Sequence, residues 1–482
     1  MPGANIPAAN PNLRPLCVDL DGTLVKSDTF YDSLCVLMRR RPLAALKLPL
    51  WLLGGKARVK SELARIAPLD AAKLPYNQKL LQALRQEQRN GRAIYLATGA
   101  DQRLAEAVAQ HLHLFTGLLG SDGVKNLTGA RKLAALREQY GSFDYIGNAR
   151  VDLPLLAASV EPMVANPSVG LRLGLRWRKI RPRQVFEDRR PLLQTILKAI
   201  RIHQWSKNVL VFVPLLLSHK LTGAGIAAAL ECFFCFSFTA SANYVVNDLL
   251  DIESDRHHTS KRLRPFAAGD LPVLLGLALI GLLLAATITL LVVPGLPWHF
   301  VLWLIAYALV TTSYSFRLKS VALVDVIVLS GLYTLRMLAG GAATGTVISP
   351  WLGIFSTFLF LSLAMVKRFS EVENLRERGL DATHGRGYLV ADLEQIRSFG
   401  TASGFVAVLV FTLYISRPDV TDLYRHPNRL WFIVPLLLLW ILRVWLKASR
   451  GELDEDPVVF ALRDRMSLFV GLMVLVMALL SI

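Results

Sequence analysis

The chain divides by the period of its apolar residues. Residues 13 to about 170 alternate short apolar runs with polar stretches of helical character, and RPLCVDLDGTL, RAIYLATG, FDYIGN and EPMVANP each read as a strand with the turn that leaves it. Strands separated by helices predict an α/β domain on a parallel sheet, Rossmann-like in layout. An apolar, basic insert at about 28–80 reads as a helical cap on that domain, and Leu43 to Leu53 within it suits contact with lipid or an ordinary core stripe equally well. From about Val209 the apolar blocks lengthen to what a bilayer crossing requires, about 20 residues. Nine blocks fall at roughly 208–221, 224–246, 272–293, 298–313, 321–343, 350–366, 399–415, 430–446 and 467–482, the first and fourth being short. They predict an all-α, nine-helix transmembrane bundle over residues 206–482, after a soluble domain at 1–170 and a connecting stretch at 171–205.

Composition agrees with that division. Over 482 residues, 53% of them hydrophobic, a mean hydropathy of +0.41 excludes an ordinary soluble protein. The net charge of +18 is not spread evenly. Loops after the even-numbered blocks hold 16 basic residues, and those after the first, third, fifth and seventh hold 4. Basic loops stay in the cytoplasm, so the soluble domain and the even loops are expected on the cytoplasmic side of the inner membrane. The connecting stretch LRLGLRWRKIRPRQVFEDRRPLLQTILKAIRIHQW is expected to lie on anionic headgroups rather than to bind nucleic acid. MPGANIPAANPNLRP lacks the apolar core of a secretory signal. Cys17, Cys35, Cys232 and Cys235 lack zinc-type pairing and read as small hydrophobes. Oligomeric state leaves no trace in the sequence.

Chemistry concentrates in NYVVNDLLDIESDRHHTSKRLRPFAAGDLP, after the second block. Asn247, Asp248, Asp251 and Asp255 stand at helical spacing, so the three carboxylates are expected near one helical face at the end of a span. Such acids repel one another unless cations sit between them, and hard oxygen donors suit Mg²⁺ sharing phosphate oxygens with a substrate. Lys261, Arg262 and Arg264 follow at once, which favours a metal and diphosphate clamp over a solvated acidic turn. His257 and His258 are expected to face water.

NDxxDxxxD at the end of a second span, followed by a basic RP segment, resembles the UbiA superfamily of intramembrane prenyltransferases over about residues 195–482. Quinone- and haem-pathway members carry a second acidic cluster after the sixth span. This chain has AMVKRFSEVENLRERG there, with Lys367, Arg368 and Glu371. YSFRLKSVALVDV (Tyr314, Arg317, Lys319, Asp325), RIHQWSKN (Arg201, Lys207, Asn208) and LYTLRMLAGG (Arg336) make the chain similar to decaprenyl-phosphate phosphoribosyltransferases. That resemblance implies transfer of a 5-phosphoribosyl group from phosphoribosyl diphosphate to polyprenyl phosphate, with diphosphate released. Two anionic substrates account for many bases around one acidic site. Tyr314 and Lys319 are then expected to touch the reacting groups, and Arg201, Lys207, Asn208, Lys261, Arg264, Arg336, Lys367 and Arg368 to bind substrate. A charge in mid-span such as Arg336 is costly unless it faces a polar cavity. The other reading of the same site is a prenyltransferase using polyprenyl diphosphate and a small acceptor. A transporter or scaffold is disfavoured by the absence of paired inverted halves.

LCVDLDGTL resembles the first motif of haloacid-dehalogenase-like phosphatases. In that family the first aspartate, here Asp19, attacks phosphorus, and the second, Asp21, is the acid/base. Thr98 in YLATG matches the second motif, and Lys132, or alternatively Lys125, the third. The fourth motif departs from the pattern: YIGNARVD offers Asn148 and Asp152 where two acids are expected. An amide oxygen still coordinates Mg²⁺, so Asp19, Asp21, Asn148 and Asp152 are the expected ligands of a second Mg²⁺, unless the domain is a degenerate scaffold. Its expected substrate is the 5-phosphate of the lipid product.

Overall fold

The computed structural model describes residues 13–123, 126–219, 221–377, 379, 387–422, 424–453 and 457–482. Lys125 lies outside them. The chain forms two compact units. One holds residues up to Ile200 together with Tyr244–Gly281, and the other holds Arg201–Asn243 with Leu282–Ile482.

The first unit is built on six parallel strands: β1 Leu16–Val18, β2 Ile94–Asp101, β3 Gly117–Ser121, β4 Asp144–Gly147, β5 Pro162–Ala165 and β6 Gln184–Phe186. Their order is β3-β2-β1-β4-β5-β6. Because strand side chains alternate between faces, Leu16 and Val18 join one core with Ile94, Leu80, Leu84 and Val108, while Cys17 joins the other with Tyr145, Leu136, Leu155 and Leu171. Helices thus cover both faces, which is why β1 is apolar throughout. β1 pairs with β2 on one side and β4 on the other. The winding reverses between them, and the crevice beyond their carboxyl ends is where such sheets place their chemistry.

After β1 comes the expected cap: helices Thr29–Arg40, Pro42–Ala45, Leu48–Leu53 and Gly55–Ile66. It has its own core of Val36, Leu37, Trp51, Val59 and Leu63. Asp28 starts it as an N-cap, accepting from the Phe30 amide at 3.0 Å. The stretch expected at 171–205 as a connecting segment is largely part of this unit. Leu171 and Leu175 of helix Val169–Trp177 are buried in the sheet's second core, and β6 pairs with β5. The arginine-rich pattern there belongs to the outer face of a packed helix. The boundary expected at residue 206 also shifts, because the aspartate-rich segment groups with the α/β unit.

Seven helices among the described residues are long and apolar enough to cross a membrane: Gly223–Leu250, Val273–Val292, Trp298–Phe316, Val324–Thr344, Pro350–Glu377, Val390–Ile415 and Pro427–Ser449. The ninth expected block is the shorter apolar helix Arg465–Ser481. The first is not one long α-helix. It forms the 3₁₀ segment Ile202–Phe212 and a five-residue helix Val213–Leu217 with Pro214 in its first turn, a residue that cannot continue a helix entering from before it. Helix Val324–Thr344 is the most enclosed, 61% of its central window being buried against 17% for Trp298–Phe316. Small residues permit this. A Cβ on Gly340 would lie 2.1 Å from the Val211 carbonyl oxygen, whereas one on Gly353 would meet nothing within 4 Å. Gly340→Ala is therefore expected to lower stability in detergent by about 1–3 kcal/mol. Gly353→Ala should stay within about 0.5 kcal/mol of wild type in the same unfolding assay.

Candidate functional site

Four residues expected in the phosphatase-type site sit at the carboxyl ends of β1, β2 and β4, and Lys132 reaches Asp19 from the helix that precedes β4. Asp19 directly follows β1, and its Oδ1 accepts from the Lys132 Nζ at 2.7 Å. Lys132 comes from helix Ala130–Tyr140 and donates also to the Tyr145 hydroxyl at 3.1 Å. Asp21 Oδ1 accepts from the Thr29 amide and hydroxyl at 2.8 and 2.7 Å, tying the turn to the cap. Gly22, with φ +72°, must be glycine, since a Cβ would stand 1.9 Å from the Asn148 side-chain nitrogen. Thr98 is fully buried in β2 and accepts from the Ala100 amide at 2.9 Å.

Asp152, expected as a ligand, is engaged with its own loop. Its Oδ2 accepts from the amides of Asn148 and Ala149, and its Oδ1 accepts from the Tyr145 hydroxyl, all at 3.0–3.1 Å. It shapes the loop that presents Asn148. Asp19 is pushed up to about 7 by burial, against the pull of Lys132 and with Asp152 adding to the rise. Asp21 is pushed up to about 6 by burial and the neighbouring Asp28. Two adjacent enclosed carboxylates short of positive charge, with the amide of Asn148 against their turn, fit a hard divalent cation.

One residue of this cleft left no sequence signal. Lys60, on the cap helix, donates to the Gly99 carbonyl at 2.5 Å and to the Asn126 side chain at 3.3 Å. With Asp21, Thr29, Phe30, Arg103 and Leu104 it lines a cavity of about 90 Å³. Nothing in the pattern separates it from Lys56, which lies on the same helix.

The aspartate-rich segment also belongs to the first unit, and its three acids do not converge as the helical spacing predicts. Helix Gly223–Leu250 is interrupted at Asp251, whose φ and ψ are −92° and 8°, and resumes as Ile252–His257. Asp248 and Asp255 share one guanidinium nitrogen, the Arg264 Nη1, at 3.1 and 2.9 Å. Asp251 instead faces Arg39 of the cap at 3.3 Å. Burial raises Asp255 to about 6 even with Arg264 beside it. Among the described residues no group of three or more His, Cys, Asp or Glu is disposed around one point. The pair Asp248 and Asp255, already meeting one cationic centre, is a donor set suited to Mg²⁺. Asn247 is partly buried beside Asp248, Lys261 is exposed, and His257 and His258 face outward.

In the second unit the expected substrate residues gather into two polar clusters. Arg336 donates to Asn208 Oδ1 at 2.8 Å, to the Leu332 carbonyl at 2.5 Å and to the Tyr307 hydroxyl at 3.1 Å. Its guanidinium lies 4.9 Å over the Tyr307 ring and 5.5 Å from that of Tyr333, with the Lys207 Nζ 6.0 Å from the Tyr333 centroid. Asn208 donates to Ser237 at 3.0 Å. Arg336 therefore meets an amide, a carbonyl, a hydroxyl and aromatic faces, and among the described residues no acid balances it there. In the second cluster Arg368, 1% exposed, donates to Asp325, to Glu371 at 2.5 Å and to the Tyr314 hydroxyl at 3.1 Å. Tyr388 closes it by donating to Asp325 at 2.5 Å. Arg368 and Tyr314, expected at the substrate, are thus engaged in an enclosed ion-pair network. Arg201, before the 3₁₀ segment Ile202–Phe212, Lys319, in the 3₁₀ turn Leu318–Ser320, and Lys367, within helix Pro350–Glu377, are all partly buried.

The UbiA prenyltransferase family matches residues 209–473, more than half of the chain. The chain belongs to the UbiA prenyltransferase family. It is a transferase of that family and an integral membrane protein. The uncharacterized protein y4nM of Sinorhizobium fredii is 38% identical over 95% of this chain and 89% of its own length. Nodulation protein NoeC of Azorhizobium caulinodans is 31% identical over 57% of this chain and 89% of its own. A decaprenyl-phosphate phosphoribosyltransferase of Mycobacterium tuberculosis is 32% identical over the same two shares. The last two are covered nearly end to end by a little over half of this UbiA-family chain.

The Arg368 network makes a stability prediction. Arg368→Met strands Asp325 as a buried uncompensated charge and should lower stability by about 3–5 kcal/mol, while Arg368→Met with Asp325→Leu should recover most of it, measured by unfolding in detergent. In the soluble cleft, Asp21 holds its proton up to about 6 in the folded chain against an ordinary value of 3.8. The native state then binds more protons than the unfolded one in that window, so this group lowers stability as pH rises through it. With metal chelated, Asp21→Asn should gain stability relative to wild type between pH about 4 and about 6 and keep that gain above.

Proposed function

We propose that this UbiA-family enzyme moves a 5-phosphoribosyl group from phosphoribosyl diphosphate to polyprenyl phosphate, releasing diphosphate, at the cytoplasmic face of the inner membrane. The observation that carries the reading is the chemistry of the last turns of the helix Pro350–Glu377. A second acidic, metal-holding cluster would serve a prenyl diphosphate, and at that place Lys367, Arg368 and Glu371 stand, with Arg368 already neutralising Asp325. The relative named decaprenyl-phosphate phosphoribosyltransferase supports the same donor and acceptor. The concentration of bases in alternate loops supports the orientation.

Asp248 and Asp255, with Asn247 and Asp251 alongside, would hold Mg²⁺, which neutralises charge on the departing diphosphate. Arg264 sits between the two acids and moves its positive charge toward substrate phosphate once they have another cation. Among the described residues Arg336 meets amide, carbonyl and hydroxyl oxygens and no carboxylate, so its charge stays available to an anion, and Lys207 lies over the neighbouring Tyr333 ring. Lys319, Lys367, Arg201 and Lys261 supply further positive charge for the donor's 5-phosphate and the acceptor's phosphate.

The first unit reads as a phosphatase acting on the 5-phosphate of the product. Asp19 is the nucleophile, kept near Lys132, and Asp21, with its raised proton affinity, is the acid/base. Asp19, Asp21 and Asn148 would hold a second Mg²⁺, which offsets phosphate charge there. Fusing the two steps keeps a lipid-bound intermediate at high local concentration.

The test combines detergent-solubilised protein with Mg²⁺, polyprenyl phosphate and labelled phosphoribosyl diphosphate. Labelled lipid is expected, falling at least about 100-fold in Asp248→Ala or Asp255→Ala. Turnover of geranyl diphosphate with a small aromatic acceptor, and none of phosphoribosyl diphosphate, would replace this reading with the prenyltransferase one. For the second step, Asp19→Asn should accumulate phosphorylated lipid that wild type clears. Equal amounts in the two proteins would leave the first unit without that role.

A further inference from the structure

The cap of the first unit carries an apolar ridge that its own core does not use. Leu43, Leu46, Leu50 and Leu53 are 80%, 76%, 64% and 85% exposed. Their spacing of three, four and three residues puts them on one side of the successive short helices Pro42–Ala45 and Leu48–Leu53. Trp51, from the same stretch, is buried with Val36, Leu37, Val59 and Leu63, so the ridge is rooted in a packed support. From Ser33 to Ser61 the sequence has no Asp or Glu, and Arg41, Lys47, Lys56 and Arg58 flank the leucines. Four exposed leucines among bases alone match acyl chains beneath anionic headgroups. They match a second copy of the same face poorly, because its bases would meet like charge.

The height of the ridge is fixed by two ion pairs inside the unit. Arg39 lies 3.3 Å from Asp251 and Arg40 2.8 Å from Glu253. Those acids come one and three residues after the apolar helix Gly223–Leu250 ends, where a membrane-crossing segment emerges from lipid. Leu43 follows Arg40 by three residues. We propose that this leucine ridge docks the cap into the interfacial layer of the membrane that the bundle crosses, with anionic lipid as its partner. The proposal rests on the chain crossing a membrane and not on either assigned reaction.

The four native cysteines are buried, so single cysteines placed by Leu46→Cys and Leu50→Cys can carry a bimane label on the full chain, with unlabelled wild type setting the background. In nanodiscs of mixed phosphatidylcholine and phosphatidylglycerol brominated on their acyl chains, both labels should dim by about twofold or more. A label at Arg85→Cys, on the exposed side of helix Gln78–Arg89, should hardly change. Adding Leu43→Glu and Leu53→Glu to the Leu50→Cys protein should abolish its quenching. Labels at 46 and 50 that dim no more than the one at 85 overturn the proposal. So does quenching that survives the glutamates, and so does shielding of the labels in particles of doubled protein mass, which would mean that another copy covers the ridge.

Discussion

A carboxylate taken out of water must meet a cation, and each centre of this protein is arranged by how that demand is met. Asp19 is met by Lys132, Asp32 by Arg256 at 2.7 Å, Asp248 and Asp255 by the single Arg264, and Asp325 by Arg368. Isolated charges of this kind are unaffordable in an apolar surrounding, and a pair survives only with further hydrogen bonds. What closes each group separates the centres. At Asp325 the single base Arg368 also meets Glu371, and the Tyr314 and Tyr388 hydroxyls complete the network into a joint. Two acids on one base at Arg264, and two acids with one lysine around Asp19, leave negative charge in excess. Those are the places with something still to bind.

Arg336 is the reverse case. It sits on the most enclosed of the crossing helices, and its partners are neutral: an amide, a carbonyl and a hydroxyl, with two aromatic rings flanking the guanidinium. Neutral acceptors satisfy hydrogen bonds but leave the charge uncancelled.

How far the sequence discloses this depends on the range of the interaction. The α/β domain with its cap, the long apolar helices, the Asp19 turn and Lys132 were legible, since each rests on local period or on a short motif. The stretch 171–205 reads as a connector because one helical period carries both a face that packs and a face that stays outside. Leu171 and Leu175 turn into the sheet's core, while Arg172, Leu173, Arg176 and Trp177 stay exposed. The convergence of three aspartates failed at a single backbone position, Asp251, where the helix breaks. Asp152 and Arg368 have structural partners that residue type alone does not report: for Asp152 the nearby Tyr145 hydroxyl and the amides of Asn148 and Ala149, for Arg368 the distant Asp325.

The grouping of Tyr244–Gly281 with the α/β unit follows from the same demand for counter-charge. Arg256 immediately follows Asp255, and its guanidinium is buried against Ser27 and Asp32 while also donating to the Ala267 carbonyl. Ser27 donates to Asp32 at 2.6 Å, and between them lies Thr29, which holds Asp21. Lys26 meets Asp270 at 3.0 Å, and Gly269, at φ +70°, packs so close to the Ser27 backbone that a Cβ would come within 3.0 Å of its nitrogen. The segment that carries the metal-type aspartates is therefore also a wall of the turn that carries Asp21. Removing Arg256 would leave Asp32 buried without its cation beside one centre and unseat the neighbour of Asp255 at the other. A substitution that harms both proposed activities at once can be a defect in this shared joint, and it reports on coupling only when Asp32 and Arg256 are changed together as well as singly.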